Sequence, residues 1–222
     1  MRPPARVLHQ GAGLLVVDKP AGLPVIPGRT PGPCLQQELE AWLGARLWVV
    51  HRLDRDTTGV LAFATDAPTH RSLSMAFEEG RVEKVYLALV EGQLAQAQRI
   101  DLPLVPARRG RMRPAREGEA GKASLTEVRP LEQVRDATLV EARPRTGRTH
   151  QIRVHLRSVG HPLLVDPQYG NKAPLEALGL SRTPLHAAAL SIPSAAGGPV
   201  TTFQAPLPPD MEGALVALRA GA

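Results

Sequence analysis

Aromatic residues, cysteines and long apolar runs are all scarce in this sequence. Phe, Trp and Tyr make up only 3% of the 222 residues, too few to fill a core and also form an exposed platform that stacks nucleic-acid bases. The single cysteine, Cys34, excludes an intramolecular disulfide and indicates a reducing, cytoplasmic setting. No apolar run reaches the roughly 18 residues of a membrane-spanning helix, and the basic N-terminus lacks the apolar stretch of a secretion signal. We therefore expect a globular protein without a membrane segment.

The charged residues are concentrated in two arginine-rich stretches. The chain has 27 Lys and Arg against 21 Asp and Glu, a net charge of +6. Arg143 to Arg157 contains five arginines, two histidines and no acid, and Arg108 to Arg116 contains five more arginines and no acid. Arginine suits bidentate contacts with phosphate. The distribution, more than the net charge, indicates a nucleic-acid partner.

Hydrophobic spacing predicts one domain over residues 1–222, of mixed α/β or α+β class. Helices are predicted at Leu35–Leu47, Ala67–Glu79 and Thr149–Val159, the last with an apolar stripe (Ile152, Leu156, Val159) and a basic one (His150, Arg153, Arg157). Residues 103–122 are predicted to be a long basic loop. Strands are predicted at Leu14–Val17, Trp48–Val50, Gly59–Thr65, Val82–Val90, 124–128, 138–142, Leu163–Val165, Leu185–Ile192 and Val200–Phe203.

Asp54 is the carboxylate best placed for chemistry. It follows the predicted buried strand Trp48–Val50 and precedes a turn-forming run, so its head could be held rigidly toward a cleft. Arg52 would share a face with Asp54 if the strand continued. Spacing alone favours the other interpretation, in which Asp54 and Asp56 are turn caps that bond to the backbone.

The stretch His51–Leu61 (HRLDRDTTGVL) closely resembles the HRLD-x-x-T-[ST]-G signature of the RluA-type pseudouridine synthases, including TruC-like members. Thr58 stands where that family often has serine. With five more elements of the family pattern, this makes six in the right order over about 170 residues; the others are Leu14–Gly22, Lys84–Tyr86, Gly121–Ala123, Thr146–Leu156 and Leu185–Ala187.

The resemblance implies an α+β catalytic domain with a central mixed, mainly antiparallel sheet flanked by helices and loops. The sequence departs from several relatives in that we expect no N-terminal S4-type RNA-binding module. The resemblance also implies a cofactor-free isomerisation of uridine in rRNA or tRNA to pseudouridine. Asp54 would be the catalytic carboxylate, acting as a nucleophile or through a glycal intermediate. Tyr86 would lie where the C5 proton leaves, and Arg153 would pair with Asp54 and lower its pKa. Arg52 would replace the flipped-out base in the RNA stack.

Each of these residues also has a purely structural interpretation. Tyr86 could be a core tyrosine, because its alternate neighbours Val82, Ala88 and Val90 are apolar. Arg153 could lie on a solvated helix face, and Lys19 and Lys84 could contact either RNA or the scaffold. We assign RNA binding to ten residues: Arg52, His51, Lys19, Lys84, Arg111, Arg113, Lys122, Arg145, Arg148 and His150.

A metal site is not expected, because no Cys or carboxylate joins the histidines at ligand spacing, and His150 and His155 do not share a helix face. We expect a monomer that binds an RNA stem-loop. Two other functions are possible: an RNA-binding homologue that has lost catalysis, and a glycosidase using Asp54 with Asp56. The intact aspartate, tyrosine and arginine argue against the first, and the scarcity of aromatic sugar platforms argues against the second.

Overall fold

A computed structural model of the chain describes residues 2–28, 32–173, 175–193 and 199–221. The α-helices within these ranges are α1 (Leu35–Leu43), α2 (Ala67–Glu78), α3 (Gln151–Ser158) and α4 (Pro209–Ala220). The strands are β1 (Arg6–Gly11), β2 (Leu14–Lys19), β3 (Trp48–Val49), β4 (Thr58–Ala64), β5 (Glu83–Glu91), β6 (Gln98–Asp101), β7 (Leu104–Pro106), β8 (Met112–Pro114), β9 (Leu125–Val134), β10 (Ala137–Pro144), β11 (Leu185–Ile192) and β12 (Thr201–Gln204).

The chain divides into two compact units. The first comprises Met1–Lys84 with Ala187–Pro206, and the second comprises Val85–His186 with Leu207–Ala222. Helices and mainly antiparallel strands occur in both, so the predicted α+β class is confirmed.

The first unit is built around β4, whose seven residues are all buried. β2 pairs with β4 and β1 with β2, both antiparallel, so Lys19 at the end of β2 lies opposite Gly59. A side chain at Gly59 would overlap the backbone of Ala187, and only glycine adopts its φ of 107° without strain. Helix α2 begins where Asp66 accepts a hydrogen bond from the Thr69 amide. Close backbone packing therefore restricts position 59, five residues after Asp54, to glycine.

Helix α1 is shorter than predicted, and β3 is both shorter and less buried. The helix ends at Leu43 because Gly44 adopts a left-handed conformation. Cys34, directly before it, is fully buried. The predicted buried strand Trp48–Val50 has two strand residues, which are half-buried. Because β3 ends at Val49, strand alternation does not place Arg52 and Asp54 on the same face.

In the second unit, β5, β10, β9 and β6 lie side by side in this order, each antiparallel to its neighbour. Helix α3 contributes Ile152 and Leu156 to one core cluster with Ala88 and Val140. A second cluster joins Leu164 and Val165 to the buried face of α4. The predicted strand Leu163–Val165 is wrong: Leu163 makes one bridge to Val90, and the run is apolar because it is buried against other core residues.

Residues 103–122 are not the loop that the sequence predicts. β7 and β8 form an antiparallel hairpin in which Val105 lies opposite Arg113. Its connection is a short 3₁₀ turn, and Arg109 there has a φ of 57°, in the left-handed region. We call residues 104–114 the arginine hairpin. Most of the arginine-rich stretch Arg108–Arg116 therefore lies in a structured hairpin.

Candidate active site

Asp54 lies in a tight turn of the first unit. The Thr57 amide donates a hydrogen bond to the Asp54 carbonyl across 3.1 Å, which closes a turn of four residues. Leu53 is buried beneath this turn, Asp54 is half-buried and Arg52 is exposed. The predicted junction between strand and turn is therefore replaced by an irregular segment followed by a turn. The roles of Asp54 and Arg52 stay predictions.

Lys19 holds this turn from below. Its ammonium is fully buried and donates to three carbonyl oxygens, those of Pro20 at 2.7 Å, Arg55 at 2.8 Å and Thr57 at 3.0 Å. The three hydrogens of an ammonium match these three acceptors. Two of the carbonyls, those of Arg55 and Thr57, belong to the turn that begins at Asp54, so Lys19 fixes the backbone that carries the carboxylate. Of the two roles considered for Lys19, these contacts support the scaffold.

His51 is also anchored in the fold. Its Nε2 accepts a hydrogen bond from the Ala62 amide at 3.0 Å, and its ring stacks on Phe77 with centroids 4.8 Å apart. Burial, with a smaller contribution from the positive charge of Lys84, lowers the pKa of His51 to about 3. The ring is thus neutral at pH 7 and fixes the start of the HRLD segment. These contacts are structural, and RNA binding by His51 stays a prediction, as it does for the half-buried Lys84.

Tyr86 and Arg153 belong to the second unit. Tyr86 lies on β5 opposite Ala142, and it is half-buried against the cluster that contains Ala88 and Val90. The ring therefore has the apolar neighbours expected of a core tyrosine and an accessible part as well. Its assignment to the reaction stays a prediction.

Arg153 is buried, so the solvated-face interpretation is wrong. Its Nε donates to Asp166 Oδ2 at 2.8 Å, and its Nη2 donates to Asp166 Oδ1 at 2.7 Å. Burial raises the pKa of Asp166, but the hydrogen bonds and positive charge of Arg153, with two backbone amides, outweigh burial and lower it. Asp166 is thus ionised, and Arg153 is held in a bidentate ion pair. Whether Arg153 also pairs with Asp54 stays a prediction.

The polar side chains of α3 are buried as well. Gln151, Arg153 and His155 are all buried, and the predicted basic stripe survives only at Arg157, which is exposed. The predicted apolar stripe is confirmed at Ile152 and Leu156. The helix is therefore enclosed along most of its length, and its polar groups have protein partners.

Several arginines assigned to RNA form ion pairs within the second unit. Arg113 pairs with Glu119 at 2.6 Å, and Arg145 pairs with Glu127 at 2.7 Å. Because these pairs are exposed, they are weak, and a phosphate could displace the carboxylate. Arg148 donates to the Ala123 carbonyl at 3.1 Å.

The other positions assigned to RNA in this unit differ in exposure. Lys122 is exposed and Arg111 is half-buried in the arginine hairpin. His150 has a φ of 54°, and its Nδ1 lies 2.8 Å from the hydroxyl of Tyr169. RNA binding at all of these positions stays a prediction.

Asp166 and Tyr169 are the residues that sequence reasoning missed. Asp166 is fully buried, and Tyr169 contacts Arg153, His150 and the backbone of the arginine hairpin. One signal was available: an aspartate that ends the apolar run Leu163–Val165 must be paired if it is buried. Among the described residues, no group of three or more His, Cys, Asp or Glu side chains is placed to hold a metal ion. No helix in the described ranges is long and apolar enough to cross a membrane.

Comparison with known proteins gives one consistent family. Residues 13–158 match the family model described as RNA pseudouridylate synthase. The chain is 35% identical over 225 residues to ribosomal large subunit pseudouridine synthase D of Zymomonas mobilis, covering 94% of this chain and 71% of that protein. It is 40% identical over 210 residues to an uncharacterized RNA pseudouridine synthase of the same organism, covering 91% of this chain and 94% of the relative.

A solved structure agrees with the sequence relatives. The human RNA pseudouridylate synthase domain containing 4 superposes with a TM-score of 0.79 at 29% identity, over 96% of this chain and 93% of the human chain. The family model alone spans more than half of the sequence. The chain therefore belongs to the RNA pseudouridylate synthase family, whose members are isomerases that convert uridine to pseudouridine.

Proposed function

We propose that this chain isomerises uridine in a structured ribosomal or transfer RNA to pseudouridine, with Asp54 as the catalytic carboxylate. The observation that carries the proposal is the rigid seat of Asp54: a closed turn whose backbone is fixed by the buried ammonium of Lys19. A catalytic group held in one geometry needs no reorganisation when the substrate binds. One relative is named a ribosomal large subunit pseudouridine synthase, which makes rRNA the first substrate to test.

The reaction needs one bond broken, one formed and one proton relocated. The bond from N1 of the base to C1′ of the ribose breaks, the base turns, and C5 bonds to C1′. The proton on C5 is then removed, and N1 takes up a proton, so the atoms balance without a cofactor. In this proposal Asp54 either bonds to C1′ as the bond to N1 breaks and is displaced when C5 bonds there, or removes the C2′ proton to give a glycal and returns it when C5 bonds to C1′. Tyr86 lies where the C5 proton leaves, and Arg153 is the basic partner of Asp54.

Arg52 has the exposure that its proposed role requires. A planar guanidinium that enters the RNA stack offsets the few kcal/mol that flipping the uridine costs. The arginine hairpin and the Arg143–Arg157 stretch supply the phosphate contacts. We further propose that residues 1–222 act as one catalytic domain, that the protein is a monomer in the cytoplasm, and that the reaction uses no metal.

Release of tritium from C5 tests the proposal directly. Cellular RNA labelled with [5-³H]uridine should lose its label to water when wild-type protein is added, and Asp54→Asn should release none while still binding RNA. Asp56→Asn, two residues away in the same turn, is the matched control and should retain activity. Wild-type protein that binds RNA and releases no tritium from any RNA fraction would instead identify an inactive RNA-binding homologue. Equal release by Asp54→Asn would remove Asp54 from the mechanism.

A further inference from the structure

Arg153 rests in a seat made by one short segment, residues 166–169. Asp166 accepts two hydrogen bonds from it, at Nε and Nη2, and Gln168 Oε1 accepts another from Nη2 at 3.0 Å. The ring of Tyr169 lies under the guanidinium, with the carbon Cζ 5.0 Å from the ring centroid. Three hydrogen bonds and one ring contact define both the plane of the guanidinium and its rotation in that plane.

The seat is itself fixed by the backbone. The amides of Gln168 and Tyr169 both donate to Asp166 Oδ1, at 3.0 and 3.1 Å. The Asp166 amide donates to the Asn171 carbonyl at 2.7 Å, and the Asp166 carbonyl accepts from the Gly170 amide at 2.9 Å. The carboxylate therefore cannot rotate away from Arg153 without losing hydrogen bonds inside the protein. Its geometry is set before any RNA is bound.

We propose that Asp166 is the positioning residue for Arg153 in the isomerisation, with Gln168 and Tyr169 completing the seat. This inference rests on the proposed function, which makes Arg153 the partner of the catalytic carboxylate. A long arginine side chain samples many rotamers when only one end is held, and a small displacement of a catalytic cation is costly. Asp166 removes that freedom and also compensates a cation that would otherwise be buried with its charge unmatched.

The chain offers a matched control in another arginine–aspartate pair. Arg182 pairs with Asp210 in the same unit, from Nε at 2.7 Å and from Nη2 at 2.9 Å. The side chain of Arg182 is 11% exposed, close to the 8% of Arg153. Breaking this pair should lower stability through the same chemistry without changing the orientation of Arg153.

Asp166→Asn is the first test, because its amide cannot accept both hydrogen bonds from Arg153. We expect kcat for tritium release to fall about 100-fold, with KM for RNA within about 3-fold of wild type. Asp210→Asn should leave kcat within about 2-fold. In an Arg153→Gln background, adding Asp166→Asn should cost no more than about 2-fold further, because a positioning residue has nothing left to position. Full additivity, or equal kcat losses in Asp166→Asn and Asp210→Asn, would overturn the proposal.

Gln168→Ala keeps the test decisive if Asp166→Asn does not fold. Gln168 is half-buried, so it can be shortened without opening the core. The substitution removes only the hydrogen bond from Arg153 Nη2 to Gln168 Oε1. A kcat about 5- to 10-fold lower with unchanged Tm is the expected result. An unchanged kcat in this variant would contradict the proposal that residues 166–169 position Arg153.

A second readout does not depend on catalysis. In protein labelled with ¹⁵N-arginine, the Nε–H signal of Arg153, assigned by its loss in Arg153→Gln, should exchange slowly with solvent. Gln168→Ala and Asp166→Asn should both speed that exchange, and Asp210→Asn should not. If wild-type protein releases no tritium, the proposed function fails, while this exchange still decides whether Asp166 orients Arg153.

Discussion

The ammonium of Lys19 lies 2.8 Å from the carbonyl oxygen of Arg55, the residue after Asp54. A buried cation thus holds the backbone of the turn that carries the proposed catalytic carboxylate. The sequence separation of this pair is 36 residues, so the contact exists only in the folded chain.

Lys19→Met tests the importance of this contact. The substitution keeps the apolar stem and leaves the Pro20, Arg55 and Thr57 carbonyls without their donor. We expect the free energy of unfolding, measured in urea, to fall by about 2–3 kcal/mol, because a buried acceptor without a partner costs about 1–3 kcal/mol. We also expect a lower kcat for tritium release from the folded variant. A variant as stable and as active as wild type would show that the turn holds its shape without Lys19.

His51 should make stability depend on pH in a defined window. The unfolded chain binds a proton at this histidine near pH 6.5, and the folded chain does so near pH 3. Between these values the unfolded state binds more protons, so stability that is fully present above about pH 6.5 is lost as pH falls toward 3, by at most about 1.4 kcal/mol per unit. His51→Gln should show a shallower slope between pH 7.5 and 5.5 in urea titrations. Parallel curves for the two proteins would contradict the neutral, buried ring.

Arg111 should contribute to RNA affinity through phosphate. Arg111→Ala should reduce the slope of log Kobs against log salt by about 0.7–0.9, the value expected for one lost phosphate contact. Arg219→Ala is the control, because it removes the same charge from the second unit outside the hairpin; Arg219 is exposed and pairs with Glu132 at 2.6 Å. Filter binding at several salt concentrations gives both slopes. If the two variants lose equal slope, the effect reports net charge and not the hairpin.

Tyr169→Phe should loosen the arginine hairpin without disturbing the seat of Arg153. The hydroxyl accepts a hydrogen bond from the Met112 amide at 2.8 Å, and the ring alone faces the guanidinium. We expect faster hydrogen exchange at the Met112 amide and a KM for RNA raised about 3- to 10-fold, with kcat within about 2-fold of wild type. A fall in kcat with unchanged KM would place the effect on Arg153 instead.

The parts of the fold that the sequence predicts are those with a clear hydrophobic pattern. β2, β4, β5, β11 and α2 agree with their patterns to within one or two residues. β5 alternates and α2 has helical spacing, whereas β2, β4 and β11 are short, mostly apolar runs. Helix α4 was not predicted, since it begins at Pro209 and contains Gly213, both of which resemble breakers. The arginine hairpin was missed because its strands have three residues each, too few to show a period.

The candidate site also has a part that the sequence predicts and a part that only the structure shows. The motifs nominate Asp54, Tyr86 and Arg153 as candidates, because each residue belongs to one short block of sequence. They cannot show that Lys19 is buried beneath the turn or that Asp166 receives Arg153. These partners follow from tertiary packing, and in sequence a buried lysine looks the same as one that meets RNA.

Cys34 gives this protein a built-in reporter of opening. It is the only cysteine of the chain, and its side chain is fully buried directly before α1. A water-soluble thiol reagent can therefore reach it only when that part of the first unit opens. The labelling rate in unmodified protein, with and without RNA, measures how often this opening occurs, with no competing signal from another thiol.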